Sequence, residues 1–204
     1  MMKRDASGKK TLLLSVLMSA PGPLVVGLGL LAGKSSTQLA DFFRRSAELL
    51  AIICSFVIYC ITENDTGSRK QKLEKAANLF VGFAMCTGGL IMMALAIWAP
   101  SEEKGNVIPG LVIAVLGVIA NTLFWRKYTR LNRQTPNAIL AVQARLYRAK
   151  ALVDGCVTTA LLAVALFPAS RAAAALDVVG SVIVAVYLIW CSAKTVKECV
   201  KKPD

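Results

Sequence analysis

Six apolar runs, each close to the length of a membrane span, leave this chain little choice of fold. A helix crossing about 30 Å of hydrocarbon needs about 20 apolar residues. The runs cover residues 11–32, 38–61, 76–99, 107–125, 139–167 and 172–191. They use most of the 204 residues, leaving tails 1–10 and 192–204 and short loops. Inside a bilayer every backbone N–H and C=O must be paired within the protein, so such runs are helices. The expectation is an all-α membrane protein with a six-helix transmembrane domain over residues 11–191 and short cytoplasmic tails. Met1-Met2-Lys3-Arg4 ahead of an apolar run has the look of a secretory leader. The run outlasts leader length and no cleavage site precedes a soluble domain, so it reads as a retained first span. Pro21, Gly22 and Pro23 predict a kink within it.

Loop charges set the orientation. The formal net charge is +12. Such an excess marks either an anion-binding chain or a membrane protein with cationic cytoplasmic loops. The distribution favours the second. Lys3, Arg4, Lys9 and Lys10 precede the first run, and Arg69, Lys70, Lys72 and Lys75 follow the second. Arg126, Lys127, Arg130 and Arg133 follow the fourth, and Lys194, Lys197, Lys201 and Lys202 follow the sixth. The other side holds only Lys34, Lys104 and Arg171. The positive-inside rule makes the rich side cytoplasmic, with both termini there and the chain in a cytoplasmic (inner or plasma) membrane. An odd number of spans would destroy the alternation. Trp98 and Trp125 fall at run ends, where interfacial aromatics belong. No zinc-finger or RNA-binding motif is visible, so nucleic acid is not an expected partner.

Hydrophobic residues make up 56% of the chain, against about 45–50% in soluble domains. The six cysteines form no CxxC pair, and most sit in apolar runs as small hydrophobes. There is no histidine. With no catalytic triad, histidine pair or phosphate loop, neither enzyme activity nor a cofactor is expected.

Charges within the runs are expensive, so each is a functional candidate. Asp41, Arg44 and Glu48 share one face of the second run at spacings of three and four. Lys150 and Asp154 share a face of the fifth. At 1.5 Å per residue, Glu48 lies about 20 Å and Asp154 about 21 Å from the outer ends of their runs. The two carboxylates are thus expected at one depth, with Arg44 outward and Lys150 inward, pairing with them. Two readings stay open: a buried ion-pair cluster fixing helix register, or an ion or proton site on a permeation path. Arg145 and Arg148, nearer the cytoplasmic end, have the reach to snorkel to lipid phosphates. Asp41 and Asp177, near outer ends, would cap helices or line an outer entrance.

These residues also form a pattern. The stretch from Gly33 to Asp41 with Ala47-Glu48 resembles the G-x-S-x-A-L-L-A-D-A-x-H-S-x-x-D signature of cation diffusion facilitator (cation efflux) transporters. Asn121 stands late in the fourth run. Pro136 to Asp154 resembles the family's S-P-x-L … H-x-x-x-D stretch, and Leu176 to Gly180 its A-D-P-x-x-G. The resemblance implies a cation-efflux-type bundle that moves a cation by alternating access. Divalent cations would be its substrate, protons a coupling ion and a homodimer its assembly. It also implies a metal site at the positions of Arg44, Glu48, Lys150 and Asp154. Two of these are cations without a lone pair to give. Glu48 and Asp154 would be the remaining ligands, fewer than the four that zinc usually takes. The runner-up function is a transport-inactive membrane scaffold or partner subunit, with the charges as a structural zipper. Gly29-x-x-x-Gly33 would allow close helix packing, though that motif is common by chance.

Overall fold

Runs that must satisfy their own backbone become helices, and all the regular structure described in this chain is helical. The structure, a computed structural model, describes residues 2–32, 36–62, 65, 67–98, 108–166 and 171–201. The first span is two segments, α1 (Met2–Ser19) and α2 (Pro21–Ala32), broken at Ala20 just before the Pro-Gly-Pro sequence. Then follow α3 (Ser36–Ile61), α4 (Ser68–Trp98), α5 (Ile108–Gln134), α6 (Ala138–Leu166) and α7 (Arg171–Lys201). Several helices outrun their apolar stretches. The apolar run marks what crosses hydrocarbon, while a charged extension such as Arg69–Lys75 has no breaker to end it.

Ser68–Ala94, Leu111–Gln134 and Val178–Val200, in α4, α5 and α7, are long and apolar enough to cross a membrane on that ground alone. α3 carries Arg44, Arg45 and Glu48, and α6 carries Arg145, Arg148, Lys150 and Asp154, within their otherwise apolar sequences. The outer surface is apolar, with Leu17, Leu24, Phe83, Leu116, Leu123 and Ile183 all exposed, as a lipid-facing surface requires.

The helices pack as two tight antiparallel pairs, α5 on α6 and α4 on α7, joined by α3 and the broken first span. Small residues allow the second pair's close approach. A Cβ on Gly89 would stand 2.9 Å from Ile189 Cγ1 and 3.0 Å from the Ala185 carbonyl oxygen. Seven residues earlier, the Gly82 carbonyl accepts a 2.7 Å bond from Ser192 Oγ. Lipid tails are as apolar as leucine, so packing and interhelical hydrogen bonds, not water exclusion, hold such pairs. A second set ties α1 to α5 and α6. Tyr128 donates to Ser15 Oγ at 2.8 Å, and Ser19 and Tyr147 hydroxyls lie 3.3 Å apart. The Tyr147 ring lies 5.0 Å from that of Phe124 and 5.4 Å from that of Tyr128. Gln143 on α6 donates to Ser55 on α3 at 2.9 Å. Ser19, Phe124 and Tyr147 from this set line a cavity between the first span, α3, α5 and α6.

Candidate functional site

The one-face spacing of Arg44 and Glu48 brings them together first. Arg44 Nη1 donates to Glu48 Oε1 at 3.1 Å, an i, i+4 pair within α3. From α6, Lys150 Nζ reaches Glu48 Oε2 at 3.4 Å. Side chains in this trio are only 10–17% exposed. Such burial of a carboxylate survives because two cations compensate it. Lys150 Nζ also lies 5.3 Å from the centre of the Tyr147 ring, an added attraction for the ammonium.

Asp154 stands apart from the trio. Its Oδ2 accepts a 2.6 Å hydrogen bond from Asn121 Nδ2 on α5. The sequence led to the two cations pairing with the two carboxylates. Instead, both bind Glu48, and Asp154 is held by a neutral amide. Helix spacing explains the first pairing and the rotation of α6 against α3 the second. Arg44 is one turn from Glu48 on the same helix, and Lys150 extends across the α3–α6 contact rather than along its own helix.

Glu48, Asp154, Arg44, Lys150 and Asn121 line one cavity of about 380 Å³, along with Arg45, Ser19, Gly117 and Tyr147. Sequence reasoning singled out four of the charged residues and Asn121, and missed Gly117, Tyr147 and Ser19. The available signal was Gly117's position, four residues before Asn121 on one face of α5. Asp41 lies on α3 and Asp177 on α7, but their side chains are outside the described residues, so the outer-entrance reading is not placed. Gly33, Lys34 and Ser35 are also outside them. Arg145 and Arg148 are engaged within the protein. Arg145 pairs with Glu198 Oε2 at 2.9 Å and donates to Thr195 Oγ1 at 2.8 Å. Arg148 Nε donates to Tyr187 Oη at 2.7 Å.

Gly117 makes room for Asp154. A Cβ at this position would sit 2.5 Å from Asp154 Oδ2, too near for any carbon–oxygen contact. Gly117→Ala is therefore expected to push the carboxylate off Asn121 and to abolish any activity that depends on their contact. A structure of the variant with the Asn121–Asp154 bond still near 2.6 Å would refute this.

A sequence profile of the cation efflux transmembrane domain matches residues 12–202. The chain belongs to the cation efflux family. No curated protein matches it. The match confirms the resemblance carried by the Gly33–Glu48, Pro136–Asp154 and Leu176–Gly180 stretches. It makes this chain a membrane protein of a family of cation transporters. Among the described residues no group of three or more His, Cys, Asp or Glu could hold a metal ion. At the positions the resemblance gives to ligands, two cations stand and bind the nearer carboxylate. Residues lining the cavity include Arg44, Arg45 and Lys150 against Glu48 and Asp154. Among the described lining residues the formal charge sum is thus positive, which opposes entry of a divalent ion.

Proposed function

We propose that this cation efflux protein moves a small cation across its membrane by alternating access, with the cavity around Asp154, Asn121 and Glu48 as its binding site. The observation that carries this reading is the meeting of carboxylates from α3 and α6 in one cavity of a cation efflux transmembrane domain. Each Glu48 oxygen already faces a cation, so among the described residues Asp154 with Asn121 is the carboxylate acceptor left to the substrate. One carboxylate beside fixed positive charge suits a proton or a monovalent ion better than zinc or manganese, which want several anionic or nitrogen ligands. The Lys150 ammonium fills the role of a tethered ion at Glu48. The α5–α6 pair moving against α3 would open the cavity to one side at a time.

The test is flux in proteoliposomes, with protons, zinc and manganese measured separately. Proton flux is expected from the wild-type protein, reduced to the protein-free rate by Asp154→Asn, with zinc and manganese at background throughout. Zinc or manganese flux would overturn the substrate class. A specific observation favours a second reading if no ion moves. The Arg44–Glu48–Lys150 network joins α3 to α6 and suits a transport-inactive scaffold or partner subunit.

The loop charges support cytoplasmic termini. Tags at both ends are expected to be labelled only after cells are opened. Labelling of the C-terminal tag in intact cells would reverse the assignment.

A further inference from the structure

The region from Lys104 to Val153 contains eight Lys or Arg and no Asp or Glu. Three of the eight are occupied elsewhere: Arg145 by Glu198, Arg148 by Tyr187 and Lys150 by Glu48. Arg126, Lys127, Arg130 and Arg133, at the end of α5, have no carboxylate partner among the described residues. Unlike the site cations, they are compensated by no carboxylate among the described residues.

Their placement is regular. α5 packs on α6 and, through Tyr128, on α1, which leaves one side turned outward. Along that side Val112, Leu116, Ile119 and Leu123 are exposed at alternating spacings of four and three, one helix face. The same stripe continues, at the same alternation, through Arg126, Arg130 and Arg133, all exposed. It changes from apolar to cationic within one turn, beside Trp125. The apolar part spans about 16 Å, close to half of a ~30 Å hydrocarbon layer. Trp125, Arg126, Thr129, Arg130, Arg133 and Gln134 line a surface groove of about 490 Å³ at the cationic end. The Thr129 hydroxyl is turned to the Trp125 carbonyl at 2.8 Å, so the arginines are the groove's charged donors.

We infer that this face of α5 binds one anionic phospholipid of the basic-side leaflet, its phosphate on Arg126, Arg130 and Arg133 and its acyl chain along Val112–Leu123. Arg guanidinium groups offer planar pairs of N–H donors to phosphate oxygens. An indole at the boundary suits the ester region between headgroup and chain. A free phosphate would satisfy the arginines but leave the apolar half of the stripe unused. The site is independent of the transport reading, because it lies on the outer face of α5 and not in the cavity.

The experiment is native mass spectrometry of the purified full chain, titrated with phosphatidylglycerol, phosphatidylcholine and glycerol phosphate in separate arms. The variant Arg126→Gln/Arg130→Gln/Arg133→Gln is compared with a charge-matched control, Arg69→Gln/Lys70→Gln/Lys72→Gln. Wild-type protein is expected to retain phosphatidylglycerol over phosphatidylcholine and glycerol phosphate. The α5 variant should lose on the order of 100-fold in that affinity, given the attraction typical of each basic residue near an anionic surface. The α4 control should stay within a few-fold. Equal loss in both variants would show diffuse charge attraction and overturn the site. Equal retention of phosphatidylcholine, or equal binding of glycerol phosphate, would also overturn it. Should the α5 variant fail to fold, the three wild-type arms decide by themselves.

Discussion

Glu48→Gln is expected to cost about 3–5 kcal/mol of stability, the range for removing one partner of a buried ion pair. The carboxylate has two cations on it, Arg44 at 3.1 Å and Lys150 at 3.4 Å. A neutral amide in its place leaves the buried Lys150 ammonium without its carboxylate and takes one from Arg44. The cost is in desolvation left uncompensated, not in the attraction lost, and that distinction can be measured. Adding Lys150→Met to Glu48→Gln removes one orphaned charge and should recover part of the loss. Asp154→Asn should cost less than Glu48→Gln, because Asp154 is held by the neutral amide of Asn121 and a hydrogen bond can survive the change. Chemical or thermal unfolding in detergent reads all three. A Glu48→Gln protein as stable as the wild type would show that the trio is solvated through the cavity and holds nothing together.

The contrast between these two carboxylates marks where sequence reasoning reached its limit. The helices were legible because hydropathy is a sum over about 20 residues and tolerates local exceptions. The family was legible because motifs such as Leu176-Asp177-Val-Val-Gly180 keep their order and spacing. That Arg44 and Glu48 meet was legible as well, since an i, i+4 pair is fixed by helix geometry alone. The partner of Lys150 was not. Its own helix offered Asp154 one turn away, yet the ammonium goes to Glu48 on α3, a choice set by how α3 and α6 are rotated. Helix rotation depends on small residues and hydrogen bonds scattered over several helices, such as Gly117 against Asp154 and Gln143 on Ser55. No periodicity in one run reveals them. Arg145 and Arg148 follow the same rule. Their long stems could have reached lipid phosphates, but α7 presents Glu198 and Tyr187 nearer at hand.

Replacing Arg44 and Lys150 should return the cavity to metal binding, and this is the sharpest test of what the two cations do. In the wild-type protein, zinc affinity is expected to be weaker than micromolar. A zinc ion approaching Glu48 must displace Arg44 and Lys150 and then remain beside them, with Asp154, one oxygen of which is bonded to Asn121, as a single further carboxylate. Zinc wants about four N, S or O ligands, and this cavity offers at most two carboxylates. The double substitution Arg44→Asp/Lys150→His changes both counts together. It removes two positive charges and supplies two further ligand groups, in the H/D-x-x-x-D spacing implied by the family resemblance. Zinc affinity should rise at least tenfold, equivalent to about 1.4 kcal/mol. The gain should vanish when Asp154→Asn is added. Either single substitution should give less than half of the double's effect, because each leaves one cation on Glu48. Isothermal calorimetry on the purified proteins measures all of these. Micromolar or tighter binding by the wild type, lost on Glu48→Gln and Asp154→Asn, would mean that Arg44 and Lys150 swing aside for the metal. They would then be gates of an ordinary cation efflux site rather than its replacement.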